Sequence, residues 1–248
     1  MAKTRTNLED QTRTYLDEAT TSDWTDAEVQ REVNAGYLEV VTAVMETYEN
    51  FYLITSQFNT VANQQEYGTV DAVPTDIFKI NRVEINYDTT NTNNNPIRAY
   101  PVDINEVDGE LANTAIGISV FRNAAYYLIG SSTGANGIKL GFIPIPTRNG
   151  TNAIKIWYIP EIAELSAAGS TINIPWPDRY VKLISLYAAA TLLRKGQQEE
   201  EVARQYMGEF EVGMAKMKQQ LEDRISDGSK AIIDTENQDT DFENYSTI

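Results

Sequence analysis

In the stretch DTDFE, Asp239, Asp241 and Glu243 place three carboxylates on alternate residues, a spacing with which a calcium loop presents oxygen ligands. The stretch lacks the turn glycine and the longer ligand series of an EF-hand, so a solvated acidic segment is the simpler reading and no metal is expected. Paired carboxylates can also cleave glycosides, provided that the two groups face each other a few ångströms apart. With 36 acidic residues in the chain, pairs arise by chance, and spacing in sequence does not bring them face to face. Tyr126 with Tyr127, and Trp157 with Tyr158, offer ring faces for stacking on sugars or bases. Neighbouring residues of a strand point to opposite faces, which puts one of each pair in the core and favours packing over binding. Met214 and Met217 read as core filler rather than as an adaptable groove. The chain has no histidine and no cysteine. Ser-His-Asp and Cys-His nucleophile schemes, thiol chemistry and most zinc or iron sites are thereby removed. Neither standard glycine-rich phosphate loop is present. No catalytic residue, cofactor or metal site is expected, and the protein reads as a non-enzyme.

At 248 residues and 42% hydrophobic content the chain can build a substantial core, as one large domain or two smaller ones. The absence of cysteine also fits a reducing compartment. The formal charge of −16 argues against a protein that grips phosphate backbones or an anionic membrane surface, since both need clustered cations. A membrane span needs about 20 predominantly apolar residues. The apolar run from Tyr180 to Leu193 is shorter and contains Lys182, so it is expected to be buried in protein. The opening MAKTRTNLEDQTRTYLDEATT has no apolar stretch of the kind a secretory signal carries.

The elements follow from periodicity. Asp23 to Tyr48 opens with Thr25 and Glu28 at capping-box spacing, and Val29, Val33, Tyr37, Val40, Val41, Val44 and Tyr48 then recur on one helical face. A shorter helix is expected over Leu8 to Ala19. From Phe51 to Pro175 the pattern changes to short β-rich runs between Gly, Pro and Asn turns. Strands are expected at Phe51–Phe58, Ile77–Tyr87, Ile97–Val102, Ile118–Arg122, Tyr126–Ile129, Ile138–Ile143, Ala153–Ile159 and Thr171–Ile174. Asn149-Gly150 carries a type I′ hairpin signal, because both central residues tolerate positive φ. Asp88 to Pro96 reads as an extended hairpin loop, and Asp103 to Ala112 as a short helix. Helix returns with Asp178 as the expected N-cap behind Pro177, and Gly196 as the C′ residue that ends it. The next helix buries Val202, Tyr206, Phe210, Met214, Met217 and Leu221. Beyond Ser226 the chain is Asp, Asn, Thr and Glu with few apolar residues, and it is expected to have no core of its own.

The fold class is therefore α+β. The N- and C-terminal helices are expected to form a helical bundle, with an antiparallel β-sandwich or barrel-like domain inserted between them and an extended tail. The expected divisions are 1–50 for the N-terminal helices, 51–175 for the β domain, 176–225 for the C-terminal helices and 226–248 for the arm.

Two stretches carry a resemblance. FNTVANQQEYGTVDAVPTDIFKINRVEI, residues 58–85, leads through Gln65, Glu66 and Tyr67 to Pro74 and Asp76 and an apolar strand ending at Arg82 and Val83. IPWPDRYVKLISLYAAATLLRKGQQEEEVARQYMGEFEVGMAKMKQQL, residues 174–221, joins a Pro-Asp helix start, an Ala-rich helix and a Tyr-containing amphipathic helix. Both resemble the head-to-tail adaptor, or connector, proteins of tailed bacteriophages, and the β part is most similar to the larger adaptors of short-tailed phages. The resemblance implies a structural virion protein, made in the host cytoplasm and placed at the neck. There it forms a homo-oligomeric ring, commonly of twelve copies, that docks on the portal protein and offers a platform to tail or neck proteins. It also implies a channel through which double-stranded DNA passes without tight binding, and no membrane partner. Neither the Asp88–Pro96 loop nor the acidic end after Asp227 matches a known pattern. Ile232, Ile233, Phe242 and Tyr245, spaced along the polar tail, are expected to anchor an arm that orders on a partner. The alternatives are a carbohydrate-binding or carbohydrate-cleaving β-sandwich, and another virion tail component.

Overall fold

A computed structural model describes residues 3–18, 23–87, 96–106, 124–130, 137–196 and 199–226. The described residues form four helices and seven strands, an α+β arrangement, and the chain divides into two compact units: residues 1–48 with 164–248, and residues 49–163.

In the helical unit, α1 (Arg5–Tyr15) begins at Thr4, whose backbone N–H donates to the Asn7 side chain at 3.0 Å. The helix α2 (Asp26–Tyr48) starts with the box read from sequence: Thr25 N–H donates to Glu28 at 2.9 Å, and Glu28 N–H donates to the Thr25 hydroxyl at 3.3 Å. The Thr25 hydroxyl also donates to the Glu28 carboxylate at 2.7 Å, and this bond, followed by that from Thr25 N–H, holds the Glu28 carboxyl below its ordinary value. In α3 (Pro177–Lys195) the N-cap is Trp176, in the left-handed region at φ 47°. Asp178 therefore lies inside the first turn rather than at the cap, because Pro177, with its fixed φ, takes the first helical position. Gly196 has φ −75°, so it ends the helix without the left-handed C′ geometry. The helix α4 (Glu200–Ser226) follows.

The long apolar helix packs against all three others, and Tyr180, Leu183, Ile184, Leu186, Leu192 and Leu193 are buried within the unit. Gly36 permits this packing. A Cβ at that position would sit 2.9 Å from the Ile184 carbonyl oxygen and 3.1 Å from Tyr187 Cδ1. Residues 164–175 belong with these helices. Thr171 bridges Thr4, and the Arg5 guanidinium donates to the carbonyls of Leu165 and Ser166 at 2.9 and 2.8 Å. The expected strand at Thr171–Ile174 is thus reduced to one bridge outside the sheet.

The sheet is built from β1 (Ile54–Thr60), β2 (Glu66–Tyr67), β3 (Ile77–Ile85), β4 (Ile97–Pro101), β5 (Ala124–Gly130), β6 (Ile138–Ile143) and β7 (Gly150–Pro160). Their order is β1-β7-β3-β4-β5-β6-β2, and β4 pairs with β5 in parallel. Two expectations are corrected here. The described strands form one mixed sheet rather than a purely antiparallel one, because β4 and β5, separated in sequence by the 22 residues from Val102 to Asn123, run parallel. Asn149-Gly150 does not make a β6–β7 hairpin either, since β6 pairs with β5 and β2 while β7 pairs with β1 and β3.

The curl of the sheet follows from its order. The edge strands β1 and β2 are joined by residues 61–65, a reach of about 21 Å. Seven flat strands would put the two edges about 29 Å apart, so the edges must approach each other. Tyr67 draws the join together. Its hydroxyl donates to the Gln64 carbonyl at 3.1 Å and accepts from Val61 N–H at 3.2 Å, while its ring meets Phe58 and Phe142 at centroid distances of 6.1 and 5.7 Å. Replacing Tyr67 with phenylalanine keeps the packing and leaves Val61 N–H without its acceptor. Denaturant unfolding is expected to show a loss of about 1–2 kcal/mol, and an unchanged midpoint would contradict the role given to the hydroxyl. Phe58, Val83, Ile85, Leu140, Phe142, Ile154 and Ile156 fill the core inside the curl.

Some expectations fall elsewhere. Glu49–Tyr52 is a 3-10 turn and not the start of β1. Ile104–Glu106 is likewise a 3-10 turn, and the remainder of the helix expected to reach Ala112 lies outside the described residues. The expected strand Ile118–Arg122, residues 88–95 of the polar loop, and the tail after Ser226 lie outside them too.

Candidate functional site

Buried carboxylates are where acid–base chemistry would begin. Glu32, 4% exposed, is held by Lys195 and by Arg31, whose Nε lies 3.1 Å away. Glu84 pairs with Arg82, and Glu18 with Arg13 at 3.1 Å. Burial pushes the Glu9 carboxyl up, while Arg5, with Nε at 2.8 Å, pulls it down. Each of these groups is matched by a cation within its own unit, the arrangement of a structural ion pair. Among the described residues no group of three or more acidic side chains could hold a metal ion. The DTDFE stretch lies outside those residues.

Burial also pushes up the hydroxyls of Tyr37, Tyr67, Tyr87, Tyr126, Tyr127, Tyr158, Tyr187 and Tyr206. The folded state favours the protonated phenol. The stability this contributes is complete below the unfolded value of about 10 and is lost as pH rises through the higher folded values. The chain has no histidine or cysteine, the side chains whose ordinary values lie in or nearest the range of about pH 6 to 8. The melting temperature is therefore expected to be flat across that range and to fall above about pH 10, with phenolate absorbance rising in step with unfolding. Full phenolate formation in the folded protein at pH 10 would contradict this.

The stacking candidates are placed by the sheet. Tyr158 faces the core, while Trp157 lies on the opposite face between its own cations: Arg82 at 5.1 Å and Lys155 at 4.5 Å from the ring centroid. Arg98 lies 5.3 Å from the Tyr100 ring. The register aligns these residues, with Arg82 opposite Trp157 and Glu84 opposite both Lys155 and Arg98. Of the Tyr126–Tyr127 pair, of which one member was expected in the core, both are buried. The Tyr127 ring lies over Gly141, where any side chain would collide with it. Met217 is fully buried and Met214 half-buried, so neither makes an open methionine surface.

One concave feature of the helical unit is a groove of about 650 Å³ between α3 and α4. Its apolar floor includes Leu183 and Val212, the latter 56% exposed. Gly213 sits against Leu183 where a Cβ would collide, which draws the two helices together, while Gly208 opens onto space. Arg179, Lys182 and Lys216 stand around the rim, and Arg224 lies 5.9 Å from the Trp176 ring, next along the chain from Pro177. No described carboxylate pairs with any of these four cations, although Glu209 also lines the groove. Arg179 instead donates to the Gln220 side chain at 2.9 Å, which also accepts from the Tyr180 hydroxyl at 2.8 Å. This cluster escapes a sequence reading because it joins positions near 180 to positions near 216. The heptad-like stripe of α4 gives only its buried side; Val212 and Lys216 on the other side were the available signal.

The expected arm anchors Ile232, Ile233, Phe242 and Tyr245 lie outside the described residues. A family model described as SU10 adaptor protein matches residues 3–232. The match thus includes Ile232 and stops before Ile233, Phe242 and Tyr245. No curated protein matches the chain.

Proposed function

This chain belongs to the SU10 adaptor protein family, a family of structural phage proteins, and we propose that it forms the ring joining the portal of a filled phage head to the tail. The observation that carries the proposal is the family match across residues 3–232. Exposed apolar side chains support it: Val70 and Phe78 are 95% and 65% exposed, surfaces a subunit covers by assembling. In a closed ring each contact joins two different patches of neighbouring copies, so such residues need no symmetric partner patch. The ring continues the portal channel, and the net charge of −16 lets a duplex slide past without being held. The arm after Ser226 orders on a partner in this assembly through Ile232, Ile233, Phe242 and Tyr245.

Co-sedimentation with DNA-filled, tailless heads tests the proposal. Saturable binding, abolished on heads whose portal vertex is already closed by a tail, is expected. Equal binding to tailed and tailless particles would contradict it. The DNA part has its own test. At physiological salt a duplex should bind no more tightly than about 10 μM, and a sub-micromolar affinity with a steep salt slope would contradict a sliding conduit.

A further inference from the structure

We propose that the groove between α3 and α4 is the receptor for the acidic segment 234–245 of a second copy of this chain. The inference rests on the reading of the tail as an arm and names where the arm goes. The segment carries Asp234, Glu236, Asp239, Asp241 and Glu243 with no Lys or Arg after Lys230, and it offers Phe242 and Tyr245 as apolar anchors. The groove offers the complement: exposed Val212 beside buried Leu183, and Arg179, Lys182 and Lys216, none of which pairs with a described carboxylate, in a chain of net charge −16.

The other basic and aromatic surface suits this occupant less well. On the outer face of the sheet Arg82 is already paired with Glu84, and both Arg82 and Lys155 are engaged on the Trp157 ring. That surface is a strand face without a described cleft, whereas the groove is concave and can exclude water from an inserted ring. An acidic peptide that gains charge contacts at the rim and buries an aromatic side chain at the floor meets both features of the groove at once. A copy-to-copy clasp of this kind stabilises a ring by linking neighbours through a second contact, independent of the faces that pack directly.

The natural absence of cysteine makes the test clean. Full-length Asn244→Cys protein carries a benzophenone maleimide at its single thiol, and labelled and isotopically heavy unlabelled copies are mixed and irradiated. Cross-links are expected between copies, mapping to residues 179–183 and 205–216. Lys182→Glu with Lys216→Glu on the heavy copies should lower their yield about fivefold, and Asp239→Lys with Asp241→Lys on the labelled copies should restore it. Both lysines are exposed, so the melting temperature of the charge-reversed protein should stay unchanged. Cross-links within one copy only, cross-links mapping elsewhere, or a yield indifferent to charge reversal would each overturn the proposal. If removing the tail still abolishes attachment to heads while the groove captures nothing, the arm stands and the groove is not its receptor.

Discussion

Gly36→Leu is expected to be among the most damaging single substitutions in the helical unit, costing about 3 kcal/mol or more. The reason is the approach of α2 to α3. Even a Cβ at position 36 would stand 2.9 Å from the Ile184 carbonyl oxygen, and that atom is helix backbone, which cannot turn aside as a side chain can. Tyr187 closes the other side at 3.1 and 3.3 Å. Gly36→Ala is expected to fall on the same side with a smaller loss of about 1–2 kcal/mol, despite the helix propensity it gains. The control is Gly208→Ala in α4, where nothing lies within 4 Å of the added carbon. There the propensity gain acts alone, and a stabilisation of about 0.5–1 kcal/mol is expected. Urea denaturation of the three variants decides the matter by sign. If Gly36→Ala is as stabilising as Gly208→Ala, the close helix approach does not exist.

Deleting residues 227–248 is expected to leave the subunit folded and to weaken attachment to tailless heads at least tenfold, a loss of about 1.4 kcal/mol or more. The packing of α1, α2, α3 and α4 is made by residues up to Ser226, and the deleted segment has few apolar side chains to set against a backbone ordering cost of about 1–2 kcal/mol per residue. The melting temperature should therefore stay within a few degrees. A truncated protein that binds heads as well as the full chain would contradict the arm. One that fails to melt cooperatively would place the tail in the fold of the subunit.

The helices were legible because local rules decide them. Thr25 and Glu28 satisfy each other's backbone donors three residues apart, and the Val29 to Val44 stripe needs only a core to face. Strand positions were legible for the same reason, since alternation is local. Their partners were not. The two-residue strand β2 has no pattern of its own and exists because β6 accepts it, and the parallel β4–β5 pairing depends on a crossover rather than on either strand's composition. Asn149-Gly150 shows the limit directly: the dipeptide permits a tight turn, but β7 is already flanked by β1 and β3. Trp157 and Tyr158 behaved as alternation requires, whereas Tyr127 was buried by a glycine on the neighbouring strand, Gly141, which no single-strand pattern contains. The groove was hidden in the same way, because its cations come from two helices more than thirty residues apart, Lys182 on α3 and Lys216 on α4.

The central claim is that the subunit closes into a ring at the portal, and the most direct measurement is electron cryomicroscopy of DNA-filled, tailless heads incubated with the full-length protein. Particles aligned on the tail vertex, with no symmetry imposed, should show a closed ring of copies seated beneath the portal, continuing its channel. Density scattered over the shell, or an unoccupied portal vertex at saturating protein, would contradict it.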